Sequence, residues 1–399
     1  MKRQGEALNG RRLTRRKFLT ASGLTVVSLG ASPLLSGCRP GAAPTAPVPT
    51  QAPISATPTS EPTARIGGAI QYLSWEGYDL RGCMEPWEQA HGVTMESSYI
   101  GDHPEIPAKL AVAAAGTYDL ITYYHGYWQL YRDELKIITP LEKDRLPNFE
   151  DLYPFFKGHR WVDDQGTIWA VPFTFGVLGG NYNADKIKAP ESWLDLLKPE
   201  FKGQYAIVDD NNAGIITGGV ILGYGDKLPY LTKEELGKVM DLWKQFKANA
   251  RTFAVYGDLT DLFVSGEIVA SIPGWAAVNV WAQERDVNVQ MYIPKEGATS
   301  FIDAYAIPPG SDNRETVLAW INESIGPEMQ ACQAKALAAG VVNPKAVPLT
   351  DPAIAAMYDY SKLDEIFKIA PVFDMGPRGT TEFATYDDWV AGWEELKAS

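Results

Sequence analysis

Short apolar runs alternate with amphipathic stretches over residues 69–122. The runs predict buried strands, and the stretches between them predict helices that end at Gly92 and Gly116. In chain order, the predicted elements are a strand over 69–75, a helix over 85–91, a strand over 93–99, a helix over 106–115 and a strand over 118–122. This alternation indicates a parallel sheet with right-handed crossovers, and the ligand edge of that sheet would carry Trp75 and Tyr123.

The second half of the chain continues the alternation. Thr232 and Glu235 form a capping box, and the helix that they begin has one apolar face. This face consists of Leu236, Val239, Met240, Trp243 and Phe246. The remaining predicted elements are a hairpin over 161–169, strands over 178–183, 268–272, 287–293 and 304–307, and helices over 313–324 and 327–339. Gly340 is expected to stop the last of these helices.

The first 38 residues are typical of an export signal. Arg15 and Arg16 resemble a twin-arginine signal, and the apolar run after them ends in Leu-Ser-Gly-Cys38, which resembles a lipoprotein cleavage box. A transmembrane anchor is the alternative, because about 20 apolar residues span a bilayer. Ser, Thr and Gly dilute this run, however, and Pro33 interrupts it. We therefore interpret residues 1–38 as a signal peptide with Cys38 as the lipidated N-terminus of an exported protein, periplasmic or at the cell surface.

Residues 39–65 predict a disordered linker. The segment from Arg39 to Ala64 contains seven prolines, five threonines and no aromatic residue, so it has no apolar surface that would offset the entropy lost on ordering. The 334 residues that follow the linker are more than one hydrophobic core usually organises. Two lobes are therefore expected.

Charge and cysteine content limit the partners. Beyond Cys38 the chain has 29 basic and 48 acidic residues, a formal charge of −19. This acidity argues against nucleic acid and anionic membrane surfaces as partners and is compatible with a cationic ligand. Cys83 and Cys332 would pair outside the cytoplasm if the fold brings them together, which the sequence alone does not show. The four scattered histidines have no metal-ligand spacing, so no metal site is expected.

The sequence lacks the motifs of common catalytic sites. It contains no Gly-x-Ser-x-Gly elbow, no His-Glu-x-x-His and no phosphate-binding or dinucleotide glycine pattern. Neighbouring carboxylates such as Asp209-Asp210 and Asp387-Asp388 are expected to be solvated in so acidic a chain. The sequence therefore predicts a protein that is not an enzyme and needs no cofactor, with an exported enzyme or a structural protein as the alternative.

A longer motif resembles a known family. The chain reads Ser-Trp-Leu-Asp-Leu-Leu-Lys-Pro-Glu-Phe-Lys-Gly over 192–203 and leads from there to Asp209-Asp210. This segment resembles the periplasmic solute-binding proteins of ABC importers, most closely the spermidine/putrescine-binding group. Further similar segments, in the family's order, are Leu73-Ser-Trp-Glu-Gly-Tyr78, Pro294-Lys-Glu-Gly297 and Asp303-Ala-Tyr-Ala-Ile-Pro308. The resemblance covers roughly residues 68–395.

The resemblance implies an α/β fold of the two-lobe periplasmic-binding-protein kind, type II-like. Each lobe would be a mixed, mostly parallel sheet flanked by helices, and a hinge would join the lobes. By analogy with the family, lobe 1 takes residues 66–174 and 303–347, and lobe 2 takes 175–302 and 348–399. The implied function is capture of a solute by hinge closure. A lipid-anchored monomer would then present the solute to an ABC permease in the membrane.

The resemblance also implies where a polyamine would bind. A linear polycation needs carboxylates spaced to meet its ammonium groups and aromatic walls along its methylenes, and each cation–π contact gives about 0.5–2 kcal/mol. Family site positions coincide with Trp75, Tyr78, Asp210, Phe301 and Asp303, and Trp275 lies within one residue of another such position. With two further candidates included, the predicted ligand-binding residues are Trp75, Glu76, Tyr78, Tyr124, Asp210, Trp275, Phe301 and Asp303.

Departures from the family pattern bear on the ligand. Ala213 stands where the family has a second carboxylate, and Tyr124 replaces a small hydroxyl residue. Gly126 and Val341 stand where the family has tyrosines. Either Glu76 compensates for the lost carboxylate, or the ligand is a shorter diamine or another amine-bearing solute.

Other interpretations remain open at this point. The same fold binding a sugar, an amino-acid derivative or ferric iron is the alternative function, and the adjacent Tyr123 and Tyr124 keep ferric iron among these alternatives. Asp210 has a second interpretation as a turn or helix cap. Trp75 has a second interpretation as core packing at the end of a strand.

Replacing Cys38 with Ser should release the protein from membranes. The substitution removes the thiol that lipidation requires, and the proline-rich linker offers no apolar anchor of its own. Immunoblotting of soluble and membrane fractions from cells that express the parent or Cys38→Ser measures this. A Cys38→Ser protein that still sediments with membranes contradicts the lipoprotein interpretation.

Overall fold

The computed structural model describes residues 66–101 and 103–399. The predicted signal peptide, the lipidation site Cys38 and the linker over 39–65 lie outside these residues. Among the helices of this described part, none has both the length and the apolar character required to cross a membrane.

The strands of the described chain form two five-stranded sheets. They are β1 (Gly68–Ser74), β2 (Val93–Tyr99), β3 (Leu120–Tyr124), β4 (Val171–Leu178), β5 (Gly180–Asn183), β6 (Tyr205–Val208), β7 (Thr252–Ala254), β8 (Ala270–Ile272), β9 (Val289–Tyr292) and β10 (Thr299–Ala306). The first sheet has the order β2-β1-β3-β10-β4, and the second has the order β7-β6-β8-β5-β9. We call each sheet with its flanking helices a lobe, the first lobe being the one that contains β1.

The helices cover both sheets. They are α1 (Arg81–His91), α2 (Glu105–Val112), α3 (Asn211–Ile221), α4 (Lys233–Asn249), α5 (Tyr256–Ser265), α6 (Ala276–Gln283), α7 (Arg314–Ser324), α8 (Pro327–Leu337), α9 (Pro352–Ala355), α10 (Leu363–Ile369) and α11 (Tyr386–Ala398). Gly92 ends α1 with a φ of 64°, as predicted. The capping box of Thr232 and Glu235 begins α4, and the predicted apolar face of this helix is buried.

The strand directions confirm the predicted fold class. β1 runs parallel to β2 and β3, whereas β10 lies antiparallel to β3 and β4. In the second sheet β6 is parallel to β7 and β8, and β5 is antiparallel to β8 and β9. The hairpin predicted over 161–169 is confirmed by an antiparallel bridge between Val162 and Ile168. The molecule is therefore an α/β protein with two mixed sheets flanked by helices.

The chain crosses between the two sheets next to Gly179. The single strand predicted over 178–183 is wrong, because β4 and β5 belong to different sheets and Gly179 separates them. A Cβ at Gly179 would lie 2.4 Å from the carbonyl oxygen of Tyr292, so only glycine allows this close approach to β9. The return crossing lies between β9 and β10. The lobe boundaries inferred by analogy with the family stay a prediction.

The predicted end of α8 is also wrong. The helix ends at Leu337, and the residue after it, Ala338, adopts a left-handed conformation with a φ of 47°, two residues before Gly340. Gly340 instead donates a 2.8 Å backbone hydrogen bond to Phe175 on β4. A Cβ at this glycine would lie 2.3 Å from the ring of Phe175, so packing against β4 explains the glycine better than helix termination does.

A disulfide joins Cys83 in α1 to Cys332 in α8. The two cysteines are 249 positions apart in the sequence, and the packing of α1 against α8 brings them together. Glu88 of the same helix α1 is buried and accepts a 2.9 Å hydrogen bond from the indole Nε1 of Trp320 in α7. The first lobe is thus closed by a covalent link between its early and late chain segments.

Removing this disulfide should destabilise the protein by about 2–5 kcal/mol, because the bond closes a long loop in the unfolded chain. The free energy of unfolding of parent and Cys83→Ser/Cys332→Ser can be compared by denaturant titration followed by tryptophan fluorescence. Reductant should bring the parent to the stability of the double variant and leave the variant unchanged. Equal stability of the two oxidised proteins would contradict the expected contribution.

Candidate functional site

The predicted site lies where parallel strands of both sheets end. In the first lobe Trp75 follows β1, and Tyr124 is the last residue of β3. In the second lobe Asp210 comes two residues after β6, and Trp275 comes three residues after β8. Ligands of open α/β sheets bind outside the carboxyl ends of the strands. This edge is therefore the candidate binding site.

A buried carboxylate lies at the centre of this edge. Asp303 belongs to β10, between β3 and β4, and is 5% exposed. The hydroxyl of Tyr78 donates a 2.5 Å hydrogen bond to its Oδ2. Burial raises the pKa of Asp303 to about 7, although the hydrogen bond from Tyr78 opposes the rise. Within residues 66–101 and 103–399, no lysine or arginine forms an ion pair with this carboxylate.

Aromatic packing fixes the Tyr78 hydroxyl on Asp303. Tyr78 lies in the loop between β1 and α1, edge-on to Phe173 with 5.0 Å between ring centroids. Phe173 of β4 stacks in turn on Tyr305 of β10 at 4.0 Å. Burial, and then the charge of Asp303, raise the pKa of Tyr78 well above its usual value. Tyr78 therefore stays protonated and donates to the carboxylate.

A neutral histidine holds the strand segment next to Asp303. The backbone N–H of Ile302 donates to Nδ1 of His125 at 3.2 Å, so Nε2 carries the proton and donates to the carbonyl oxygen of Phe373 at 2.7 Å. Burial lowers the pKa of His125 well below its usual value. His125 thus supports β10 without placing a positive charge beside the carboxylate.

A row of rings forms the wall on the side of the first lobe. Tyr124 is the register partner of Asp303 across β3 and β10. The Tyr124 ring lies 5.1 Å from the ring of His103, which is edge-on to Trp75 at 5.1 Å. Burial lowers the pKa of His103 to about 4, so the imidazole is neutral at pH 7. This wall is therefore aromatic and carries no positive charge.

Helix α3 brings polar groups of the second lobe to the site. Asp210 is the N-cap of α3 and accepts a 3.0 Å hydrogen bond from the backbone N–H of Ala213. Asn212, in the first turn, donates a 3.1 Å hydrogen bond from Nδ2 to the hydroxyl of Tyr124. Because Tyr124 belongs to β3, this bond joins the two lobes across the site. The helix-cap interpretation of Asp210 is confirmed, and its ligand-binding role stays a prediction.

Two tryptophans pack directly against glycines of α3 and fix the position of this helix. A Cβ at Gly214 would lie 2.4 Å from the ring of Trp393, and one at Gly218 would lie 2.7 Å from Trp243. Trp243 also donates from Nε1 to the carbonyl oxygen of Gly214 at 2.9 Å. Trp393 donates from Nε1 to Asp209 at 3.0 Å. Asp209 is therefore engaged with α11, and only its neighbour caps α3.

Trp275 and Phe301 form an aromatic corner of the site. Their ring centroids are 5.7 Å apart at an interplanar angle of 80°. Phe301 precedes Asp303 by two residues on β10, so both side chains lie on one face of the strand. Asn181 fixes the backbone of Trp275, accepting from its N–H at 3.0 Å and donating to its carbonyl oxygen at 2.9 Å. Gly176 leaves room for Phe301, since a Cβ there would lie 2.3 Å from its ring.

Several polar atoms near Asp210 and Trp275 are buried without a partner in the described chain, among them Asn211 Oδ1 and Trp275 Nε1. The amide Oδ1 of Asn212 and the hydroxyl of Tyr256 are inaccessible to solvent and have no hydrogen-bond partner in the described chain. The Tyr256 ring contacts that of Trp275 at a centroid distance of 5.9 Å. Burial, and then the carboxylate of Asp210, raise the pKa of Tyr256 well above its usual value. Buried polar atoms without partners cost free energy, and those of Asn212 and Tyr256 lie beside the other residues of the candidate site.

Three residues considered in the sequence do not join the buried site. Glu76 is exposed. Ala213 is buried in the core with 2% of its surface exposed, and its methyl group supplies no carboxylate to the site. Tyr123 is also buried in the core and contacts Tyr131 and Trp161, so the adjacent tyrosines do not form an iron-binding pair. In the part of the chain that the structure describes, no cluster of three His, Cys, Asp or Glu side chains could hold a metal ion.

Four site residues were not predicted from the sequence. They are His103, His125, Asn212 and Tyr256. Their contacts bring together segments that are far apart in the chain, and an isolated histidine or tyrosine carries no local pattern. Asn212 alone had a signal, because Asp-Asp-Asn-Asn follows directly on a buried strand and begins a helix.

Two curated relatives align in sequence with most of this chain. The putrescine-binding periplasmic protein PotF of Escherichia coli (strain K12) is 27% identical over 280 residues, which cover 66% of this chain and 74% of the relative. The putrescine-binding periplasmic protein SpuD of Pseudomonas aeruginosa (strain UCBPP-PA14) is 26% identical over 349 residues, which cover 82% of this chain and 92% of the relative.

A solved structure and a family model agree with the observed fold. The spermidine/putrescine ABC transporter substrate-binding protein PotD of Streptococcus pneumoniae superposes with a TM-score of 0.69 at 18% identity, covering 82% of this chain and 99% of that one. This likeness shows a periplasmic-binding-protein fold. The model of the bacterial extracellular solute-binding proteins matches residues 83–359. The chain therefore belongs to the family of bacterial extracellular solute-binding proteins.

Proposed function

We propose that the protein captures a short polyamine, such as a diamine of the putrescine type, for an ABC importer. The observation that carries this proposal is the buried carboxylate of Asp303, which has the Tyr78 hydroxyl as donor and no cationic side chain beside it in the described chain. An ionised carboxylate in such surroundings needs a counter-charge. An ammonium group of the ligand supplies it.

The rings around Asp303 suit an organic cation. Tyr124, Phe301 and Trp275 offer aromatic surface on both sides of β10. Aromatic faces attract an ammonium group, and their apolar area covers methylene groups at the same time. A ferric ion would not use the aromatic surface, and a sugar would use it but would leave the charge of Asp303 unpaired. The names of the relatives PotF and SpuD, both putrescine-binding proteins, support the same ligand class.

Closure of the two lobes is the proposed mechanism of capture. The hydrogen bond between Asn212 and Tyr124 joins the lobes across the site, as expected of a closed form. The two crossings between the sheets, at Gly179 and between β9 and β10, would serve as the hinge. In this proposal a lipid on Cys38 holds the monomer at the membrane, and the closed form docks on the permease.

Asp303→Asn should weaken putrescine binding by about 10- to 100-fold, because it replaces a charge-assisted hydrogen bond with a neutral one. Isothermal titration calorimetry measures the dissociation constants. Asp241→Asn is the matched control, since Asp241 lies on α4 with 71% of its side chain exposed and should leave binding unchanged. Equal effects of the two substitutions would contradict the proposed site.

Acidification should weaken binding as well. Burial raises the pKa of Asp303 to about 7, so the ligand-free protein protonates this carboxylate as the pH falls through 7. The ammonium group requires the ionised form. We expect an association constant that is constant above about pH 8 and that falls about tenfold per pH unit well below pH 7.

Asp303→Asn provides the control for this pH dependence. The variant has no titrating group at position 303, so its weaker affinity should vary little between pH 5 and 8. A parent protein whose affinity for putrescine is the same at pH 5 and pH 8 would exclude Asp303 as the residue that meets the ammonium group.

A further inference from the structure

A diamine has two ammonium groups, and Asp303 meets only one of them. The family position that would supply a further carboxylate holds Ala213, whose methyl group is buried. Asp210 is the other predicted carboxylate, and its Oδ1 also caps α3. The inference below rests on the proposed function and concerns how the second ammonium group is bound.

The first turn of α3 offers an acceptor to this second group. Asn212 is 6% exposed and extends far enough to donate from Nδ2 to the Tyr124 hydroxyl, the register partner of Asp303. Donation from Nδ2 leaves Oδ1 of the same planar amide as an acceptor. This Oδ1 is buried and has no hydrogen-bond partner in the described residues. The free acceptor of Asn212 is thus held at the contact between the two lobes.

Tyr256 offers another acceptor from the first turn of α5. Its hydroxyl is buried and has no partner within the described part of the chain. Burial, and then the carboxylate of Asp210, raise the pKa of this phenol, so Tyr256 lies near the N-cap of α3. Its ring packs edge-on against Trp275, whose ring contacts Phe301 on β10. Tyr256 therefore faces the site from the wall formed by the second lobe.

We infer that Asn212 and Tyr256, together with the carboxylate of Asp210, form the subsite for the second ammonium group of a diamine. An ammonium group has three N–H donors. Three acceptors match these three donors in number: the Asp210 carboxylate, the Asn212 Oδ1 and the Tyr256 hydroxyl oxygen. One of them carries charge, and the other two would otherwise stay buried without a partner.

The same arrangement disfavours an anionic group at this end of the ligand. A helix N-terminus usually attracts anions. At α3 the carboxylate of Asp210 occupies the N-cap and accepts the backbone N–H of Ala213, so a second negative charge would be repelled. The subsite therefore distinguishes a diamine from an ω-amino acid of similar length as well as from a monoamine.

Comparison of putrescine with n-butylamine isolates this subsite. Both molecules have four carbon atoms and place one ammonium group on Asp303, but only putrescine has a second one. Tyr256→Phe removes a single oxygen atom and should lower the putrescine affinity by about tenfold, because one hydrogen bond to a charged group is lost. The n-butylamine affinity should stay the same. Calorimetry of both ligands on each variant gives the ratio of affinities.

Two further variants make the result specific. Asn212→Ala also removes the bond to Tyr124, which affects both ligands equally, so the ratio of putrescine to n-butylamine affinity should again fall by about tenfold. Tyr292→Phe is the matched control. Its hydroxyl is likewise buried without a partner in the described chain, but the ring packs on Trp193. Tyr292→Phe should leave the ratio unchanged.

The outcomes separate this inference from the proposed function. If Tyr256→Phe leaves the ratio unchanged, or weakens both ligands equally, the second subsite is wrong. Weakening of both amines by Asp303→Asn would in that case still support cation capture at Asp303. If the parent binds neither amine, both the proposed function and the subsite are overturned.

Discussion

The burial of the Asp303 carboxylate without a protein cation is the constraint on which the rest of the site depends. A rise in its pKa from 3.8 to about 7 corresponds to a preference for the neutral form of about 4 kcal/mol. Between about pH 4 and pH 7 the folded chain holds a proton that the unfolded chain releases, so this group's contribution to stability falls as the pH rises through that interval. Above pH 7 the ligand-free protein carries the full free-energy cost of this buried charge. In the proposed function a bound ammonium group offsets that cost, which would couple ligand binding to closure.

The groups that contact Asp303 do not offset the free-energy cost of burying its charge. Tyr78 donates one hydrogen bond, held in place through Phe173, but brings no charge. His125 supports the neighbouring backbone as a neutral ring, because Nδ1 accepts from Ile302 and burial keeps the second proton off. A lysine or arginine here would stabilise the empty protein and compete with the ligand. A binding protein instead needs a closed state whose buried charge is neutralised only when the ligand is bound.

Local patterns explain how far the sequence could predict this structure. The capping box of α4 and the alternation around β1 act over a few residues, and both are confirmed. β4 was missed because it is buried along its whole length and shows no alternation. α3 was missed because its glycines, such as Gly214, reflect tryptophan packing from elsewhere in the chain. Asp303 was found through a segment resemblance, whereas Tyr256 reaches the site only through tertiary contacts that no local pattern records.

Two departures from the family pattern are physically one change. A Cβ at Gly126 would lie 2.9 Å from the ring of Tyr124 and 3.0 Å from the backbone nitrogen of Met375, so a side chain at 126 and the present ring of Tyr124 exclude each other. A tyrosine at 124 and a glycine at 126 therefore accompany each other in this chain. The Tyr124 hydroxyl accepts a hydrogen bond from Asn212 of the opposite lobe. This hydrogen bond orients the Asn212 amide, so in the proposed function the lobe contact and the second ammonium subsite depend on the same pair of side chains, Asn212 and Tyr124.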